Sequence, residues 1–210
     1  MRLGSNGGRP YAASALVVRE TDRRRELLHA AVRVFARKGF HASRVGDIAE
    51  EAGVAHGLLY HYFRSKEEVL ETIFRRTWKN LDEEMRRIEA ADIPMRERLR
   101  RIARIYLGSW LVAPELIRVL VREVARSPDV GTRVDEIRDV FVTLRRIIEA
   151  GKERGEVRLE VNPRFAAFAF YGAMEEILTG WVLDQLPSDD DDVEAAVAIV
   201  VDVVTTGLAP

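Results

Sequence analysis

The spacing of hydrophobic residues predicts helices along almost the whole chain. Apolar positions recur every three or four residues, as on one face of an α-helix, and the runs end at glycine or proline. The alternation of polar and apolar residues over 156–161 is too short for a sheet and predicts a loop. We therefore expect an all-α fold of about nine helices: 21–38, 44–52, 55–63, 66–90, two that begin at Pro94 and Pro114, 130–153, 164–186 and 193–208.

The second and third of these helices are short and closely spaced. Ser43 is the expected N-cap of the second helix, and Gly53 is the expected left-handed residue that ends it. One apolar face is formed by residues at i, i+3, i+4 and i+7, which are Val45, Ile48, Ala49 and Ala52. The pattern indicates a helix-turn-helix.

The third helix places its large apolar residues on one side only. Leu59 and Phe63 are four residues apart and are expected to face inward. The outward side then carries His56, Gly57, Tyr60 and His61. Such a set has little reason to exist in a hairpin that merely caps a helical bundle, which is the alternative interpretation. Ser65 and Glu68 form a predicted capping box that opens the long fourth helix, which links the two parts of the chain.

These residues together resemble the TetR family of one-component bacterial transcription regulators. The matching segments are Asp47-Ile48-Ala49, Ala52-Gly53-Val54, Gly57, Leu59-Tyr60-His61-Tyr62-Phe63 and Ser65-Lys66-Glu67. The resemblance implies an N-terminal three-helix helix-turn-helix DNA-binding domain (21–66), preceded by a partly disordered tail (1–20). It also implies a larger C-terminal helical ligand-binding and dimerisation domain (67–210). Double-stranded DNA with a palindromic operator is the implied partner, bound by a homodimer.

The resemblance also assigns roles to individual residues. His56 and Gly57 match positions that contact base edges, whereas Tyr60, His61 and Lys66 match positions that contact the phosphate backbone. Arg44 precedes the second helix and is expected to contact phosphate too. Family members commonly carry serine or threonine where this chain has Ala55 and Leu58, so Leu58 is expected to meet a thymine methyl group instead. The candidate DNA-binding residues are Arg44, Val45, Ala55, His56, Gly57, Leu58, Tyr60, His61 and Lys66.

Charge is distributed unevenly along the 210 residues. Up to Lys66 there are 12 basic and 6 acidic residues, whereas the remainder has 21 basic and 28 acidic ones. The basic end is the end that carries the helix-turn-helix, as phosphate binding requires. The apolar runs are shorter than the roughly 20 residues of a membrane span, and residues 1–10 lack the apolar core of a signal peptide. A cytoplasmic protein without membrane contact is therefore expected.

The sequence excludes several enzyme classes. It has no cysteine, which excludes disulfides, thiolate zinc sites and thiol nucleophiles. Its four histidines all lie in the N-terminal third and show no H-E-x-x-H spacing, and no phosphate-binding or dinucleotide fingerprint is present. We expect no catalytic residues, no metal and no cofactor. The remaining alternative is a helical lipid- or small-molecule-binding protein whose helix-turn-helix no longer reads DNA.

The larger domain has an aromatic and methionine-rich interior that predicts a hydrophobic effector. Arg118 and Arg122 are four residues apart on one helix and could meet an anionic head group, although two solvated arginines are the alternative. The segment 172–182 and Arg122-Glu123 resemble acyl-CoA-responsive regulators of fatty-acid degradation, which implies an acyl-CoA or fatty acid. The candidate ligand-binding residues are Trp78, Tyr106, Trp110, Arg118, Val121, Arg122, Phe141, Tyr171, Met174 and Leu178.

The last two helices are the candidates for self-association. Small and β-branched side chains can close a four-helix interface between two subunits. Alternatively, both helices belong to the core of one subunit. The candidate interface residues are Phe168, Gly172, Glu176, Gly180, Val193, Val197, Val200 and Val204. Four aspartates at 189–192 are expected to cap the last helix; a metal site is the alternative interpretation.

Overall fold

A computed structural model describes residues 22–124 and 135–210, and within these ranges it contains nine helices and no strand. The helices are α1 (Asp22–Lys38), α2 (Val45–Glu51), α3 (His56–Tyr62), α4 (Lys66–Glu89), α5 (Met95–Val112), α6 (Pro114–Val124), α7 (Asp135–Glu153), α8 (Pro163–Val182) and α9 (Asp190–Leu208). The predicted all-α fold is confirmed. The predicted N-terminal tail and the predicted helix start at 130 lie outside the described residues.

The buried residues of the first three helices belong to the same hydrophobic cluster as those of the larger domain. Phe35 on α1 meets Phe40 edge to face, with ring centroids 5.3 Å apart, and Leu59 on α3 is fully buried. Gly39 and Gly53 adopt φ values of 78° and 64°, the left-handed conformation that lets the chain turn sharply after a helix. The predicted turns are confirmed at both positions.

Ion pairs hold α2 against α1. Glu51 accepts hydrogen bonds from Arg33 at 2.7 Å and from Arg37 at 2.8 Å, and Lys38 donates to Asp47 at 2.7 Å. These bonds lower the pKa of both carboxyl groups. At Glu51 the largest cause is the hydrogen bond from Arg33, followed by that from Arg37. At Asp47 the largest cause is the hydrogen bond from Lys38, followed by that from the Arg44 backbone amide. Three basic side chains of α1 are thus engaged with α2.

The helix starts follow the predicted capping residues with one exception. Ser65 Oγ accepts from the Glu68 amide, Asn162 Oδ1 from the Arg164 amide, and Asp189 Oδ1 from the Asp192 amide. The predicted N-cap at Ser43 is wrong. Its hydroxyl donates to the Gly39 carbonyl at 2.6 Å, so it closes the turn after α1, and Arg44 occupies the N-cap position.

The fourth helix connects the first three helices to the larger domain. Beyond its first turns it packs against α5 and α7, and α5 in turn packs against α9. The buried Asp82 accepts a hydrogen bond from Thr143 on α7 at 3.1 Å and pairs with Arg86 at 2.7 Å, so its charge is compensated. The first helix also packs directly against α6, which gives the two parts of the chain a second contact.

The orientation of α8 and α9 corrects part of the predicted dimer interface. Val193, Val197 and Val200 are at most 4% exposed, because they face the core of their own subunit, and Gly180 is buried beneath Leu186. Phe168, Gly172 and Glu176 do lie on the exposed side of α8, and Val204 is half-buried. No helix in the described part of the chain is long and apolar enough to cross a membrane.

Candidate nucleic-acid interface and ligand-binding site

The third helix presents an open polar face at the surface. His56, Gly57, Tyr60 and His61 are exposed, as is Ala55 just before the helix, while Leu58 is half-buried. The His56 ring lies 5.4 Å from the Tyr60 ring and 3.4 Å from the position that a Cβ at Gly46 would occupy. Because α2 carries no side chain at that point, the two helices approach closely and His56 is held against α2.

A shallow cavity of about 570 Å³ lies beside this face. Among the predicted DNA-binding residues, Arg44, Val45, Tyr60 and Lys66 line it. His41, Arg64 and the acidic Glu67 also line it, and the resemblance gave no indication that His41 or Arg64 would do so. Arg44 and Arg64 are exposed, so the cavity has cationic walls that suit a phosphate group.

Lys66 has a structural role that the sequence did not indicate. Its ammonium group donates to the carbonyl oxygens of Phe40 at 2.9 Å, His41 at 3.1 Å and Ser43 at 3.0 Å. It also lies 4.6 Å from the centre of the Phe40 ring. An ammonium group has three donors, and all three are occupied. The structure therefore contradicts the prediction of a free phosphate-binding lysine and assigns Lys66 to holding the α1–α2 turn.

A groove of about 540 Å³ opens between α1 and the larger domain, within the usual size range of ligand sites. One wall belongs to α1 and carries Arg25, His29 and Arg33; the opposite wall belongs to α4, the α5–α6 turn and α6. Apolar residues such as Leu28, Val32 and Ile73 form part of the lining. The groove thus combines an apolar surface with cationic side chains from both parts of the chain.

Charge in the groove affects the protonation of His29. Partial burial, followed by the positive charges of Arg25 and Arg33, lowers the pKa of this imidazole. The neutral form of His29 is therefore favoured in the groove. Glu115 is the one acidic residue among the groove-lining residues, so the balance of charge favours an anion.

The two arginines predicted to bind a head group lie in different environments in the structure. Arg118 lines the groove, and its guanidinium group stacks over Trp110 at 5.0 Å from the ring centre. Arg122, one turn further along α6, is exposed and does not line the groove. One of the two is thus placed where an anionic ligand could reach it.

The predicted interior residues converge on a second, much smaller cavity of about 30 Å³. Trp78, Tyr106, Val121 and Leu178 line it. Trp110 on α5 packs against Trp181 on α8, with ring centroids 6.1 Å apart, and Met174 is fully buried. Phe141 stacks on Phe168 at 4.2 Å and lies 4.9 Å from the Tyr171 ring. Apart from Phe168, which is 52% exposed, these residues form the aromatic core of the larger domain.

Polar groups inside this core were not predicted. Tyr106 donates a short hydrogen bond to Glu175 Oε2, and Tyr171 donates to the same oxygen at 3.2 Å. Burial raises the pKa of both phenols far above the ordinary value, so both remain donors. The one signal available in the sequence was Glu175 itself, a charged residue inside an apolar run. Thr77 lines both this cavity and the groove, so the two spaces are neighbours.

No group of three or more histidine, cysteine, aspartate or glutamate side chains that could hold a metal ion occurs in the described ranges. Asp189 and Asp192 instead cap α9 reciprocally, each accepting the amide hydrogen of the other at 2.9–3.0 Å.

Comparison with known proteins gives consistent matches over most of the chain. The family model for bacterial regulatory proteins, tetR family, matches residues 27–73, and the model for the tetracyclin repressor-like C-terminal domain matches residues 92–201. The fatty acid metabolism regulator protein of Bacillus subtilis (strain 168) is 28% identical over 166 residues, which are 78% of this chain and 86% of that protein.

Two solved structures share the fold over nearly their full length. The fatty acid degradation regulator FadR from Bacillus halodurans has a TM-score of 0.82 at 25% identity and covers 91% of this chain and 98% of its own. FadR from Bacillus subtilis, solved in complex with stearoyl-CoA, has a TM-score of 0.79 at 26% identity and covers 87% of this chain and 98% of its own.

Proposed function

The chain belongs to the tetR family of bacterial regulatory proteins, a family of DNA-binding transcriptional regulators, and we propose that it is a repressor released by an acyl effector. In this proposal residues 21–66 bind DNA, and residues 67–210 bind the effector and a second copy of the chain. A homodimer holds a palindromic operator until a fatty acid or acyl-CoA binds.

The exposed side of α3 supports the DNA contact. His56 and Gly57 lie in its first turn, with open space around Gly57, so the backbone there can approach base edges. Tyr60, Arg44 and Arg64 border the neighbouring cationic cavity and would bind the phosphate backbone. Two such faces must lie about 34 Å apart to read both halves of a palindrome, which requires two subunits.

Exposed apolar residues on the last two helices support the dimer. On α8, Phe165 is 73% exposed and Phe168 52%; on α9, Ile199 is 56% exposed and Val203 63%. The two helices pack against each other, so these four side chains can form one surface. Burying large apolar groups of this kind against a second copy is favourable. Ile199 and Val203 replace the buried valines of the original prediction.

The groove is the observation that carries the effector proposal. Arg25 and Arg118 border it and favour an anionic head group, while its apolar lining favours a hydrocarbon chain. The stearoyl-CoA-bound relative supports this class of ligand. The neighbouring aromatic core has a cavity of only about 30 Å³, so a chain that enters it must displace side chains of α4, α5 and α8.

That displacement provides a route to release. Because α1 forms one wall of the groove and α4 and α6 the other, a bound effector contacts both parts of the chain. An effector that binds better when these helices are shifted will favour a spacing of the two α3 helices that no longer matches the operator. A coupling free energy of roughly 1–3 kcal/mol lowers operator affinity about 5- to 150-fold.

A footprinting assay across the upstream region of the gene, followed by titration with stearoyl-CoA and stearate, tests the proposal. We expect a protected palindrome that is lost as an acyl ligand is added. Protection that persists with both ligands but is lost with a polar metabolite overturns the acyl effector. Acyl binding without any preference among DNA sequences supports the second candidate, a helical lipid-binding protein.

A further inference from the structure

Trp78 lines the 30 Å³ cavity in the larger domain and carries a donor that has no acceptor. Trp78 is 5% exposed, and its indole nitrogen is buried without a hydrogen-bond partner. Of the cavity-lining side chains in the described ranges, Trp78 is the one with a buried polar atom that lacks a hydrogen-bond partner. A buried N–H group without an acceptor is destabilising, so its presence needs an explanation.

The other polar groups around the cavity are already engaged. Thr77 donates to the Ile73 carbonyl at 2.9 Å, and Ser109 donates to the Tyr106 carbonyl at 2.6 Å. The hydroxyl groups of Tyr106 and Tyr171 are committed to Glu175. The donor that remains for an incoming group is therefore the Trp78 N–H.

The volume of the cavity limits what Trp78 can receive. About 30 Å³ suffices for one oxygen-sized group and is far below the size of an acyl chain. Thr77, the residue before Trp78, lines both this cavity and the cationic groove. The cavity is therefore adjacent to the place proposed for the head group. In an acyl-CoA the thioester carbonyl lies where the head group joins the chain.

We propose that the Trp78 indole N–H donates a hydrogen bond to the thioester carbonyl oxygen of a bound acyl-CoA, with that oxygen in the small cavity. This inference rests on the proposed function, since it assumes an acyl effector with its head group in the groove. It narrows the effector class further. A free carboxylate placed there would face the Glu175 carboxylate at low dielectric, so the site selects the neutral thioester over the free fatty acid.

Three ligands that differ at one group test the inference. Stearoyl-CoA carries the thioester carbonyl, S-octadecyl-CoA is the thioether that lacks it, and stearate ends in a carboxylate. Their dissociation constants are measured by calorimetry with the full-length protein and with Trp78→Phe. We expect the wild-type protein to bind stearoyl-CoA roughly 10-fold more tightly than the thioether, and Trp78→Phe to reduce this ratio to about one.

A matched control comes from a second buried tryptophan. The Trp181 indole N–H already donates to the Pro187 carbonyl at 2.8 Å, so Trp181→Phe should leave the thioester-to-thioether ratio unchanged. If Trp78→Phe does not fold, β-(3-benzothienyl)alanine at position 78 keeps the bicyclic ring and removes only the N–H. Glu175→Gln should raise the affinity for stearate relative to stearoyl-CoA.

The outcomes separate this inference from the proposed function. A wild-type ratio near one, or the same ratio in wild type and Trp78→Phe, overturns the role of Trp78 and leaves the acyl effector standing. Failure of the wild-type protein to bind any of the three ligands overturns the acyl effector itself. Equal binding of stearate and stearoyl-CoA overturns the selection by Glu175.

Discussion

Lys66 Nζ lies 2.9 Å from the carbonyl oxygen of Phe40, so a lysine at the start of α4 is bonded to the turn that follows α1. Lys66→Ala should remove three hydrogen bonds from a charged donor and destabilise the protein by about 2 kcal/mol, or roughly 4–8 °C in Tm. Thermal unfolding followed by circular dichroism measures the change. The salt dependence of DNA binding should stay nearly constant.

Arg64→Ala is the matched control, because Arg64 borders the same surface cavity and is exposed. It should leave Tm unchanged and reduce the slope of log affinity against log salt by about one, as the loss of one phosphate contact does. If Lys66→Ala instead leaves Tm unchanged and reduces the slope, Lys66 contacts the DNA phosphate backbone and does not stabilise the turn.

A second prediction distinguishes base recognition from phosphate binding on α3. His56 is held between Gly46 and Tyr60, so its exposed edge has a fixed direction. His56→Ala should change the preferred base at one or two operator positions, with about 1–3 kcal/mol of discrimination lost. Tyr60→Phe should weaken binding to operator and random DNA alike. Competition binding against a library of single-base operator variants tests this, and a uniform loss in both variants contradicts it.

Local signals predicted where the helices start and stop. The φ values at Gly53 and Gly39 and the cap at Asn162 depend on a few adjacent residues, and all follow the sequence pattern. The side of a helix that is buried is harder to predict when most of its residues are apolar. On α9, Val200 points inward and Val203 outward, and nothing in the order of valines and alanines distinguishes them.

Contacts between segments that are distant in the sequence could not be predicted from the spacing of hydrophobic residues. The groove exists because α1 packs against α6, and no local periodicity encodes which helices meet. The position of Lys66 at a helix start was predicted correctly, but its partners are carbonyl groups more than twenty residues earlier. The Trp78 N–H likewise has no local signature, since its lack of an acceptor depends on what three other helices, α5, α6 and α8, place around the cavity.

The third prediction concerns the dimer. Val203→Asp places a charge on the exposed apolar face of α9 and should yield a folded monomer with weaker operator binding. Leu159→Asp is the control, because Leu159 is 78% exposed but lies in the loop between α7 and α8. Sedimentation velocity and circular dichroism distinguish the two cases. A Val203→Asp protein of unchanged mass in solution would show that this face is not the interface.

The fourth prediction uses two arginines on one helix. Arg118 borders the groove and Arg122 does not, although both lie on α6. Arg118→Ala should weaken the binding of coenzyme A esters about 5- to 10-fold through loss of a charged contact, and Arg122→Ala should change it less than twofold. Calorimetric titration with stearoyl-CoA measures both. Equal effects of the two substitutions would place the head group outside the groove.

The last prediction concerns the pH dependence of effector binding. Partial burial and then the neighbouring Arg25 and Arg33 lower the pKa of His29 in the ligand-free groove. A phosphate-bearing head group would offset those positive charges and raise the pKa of the same imidazole.

Binding would therefore take up a proton, so the affinity for stearoyl-CoA should rise as pH falls from the raised pKa of the bound imidazole towards the lowered pKa of the free one, by less than tenfold per pH unit. Calorimetry in two buffers with different ionisation enthalpies counts the protons taken up. His29→Gln should abolish the uptake while retaining the hydrogen-bonding amide. An uptake that persists unchanged in His29→Gln would mean that the anionic head group is bound away from His29, and with it from the α1 wall of the groove.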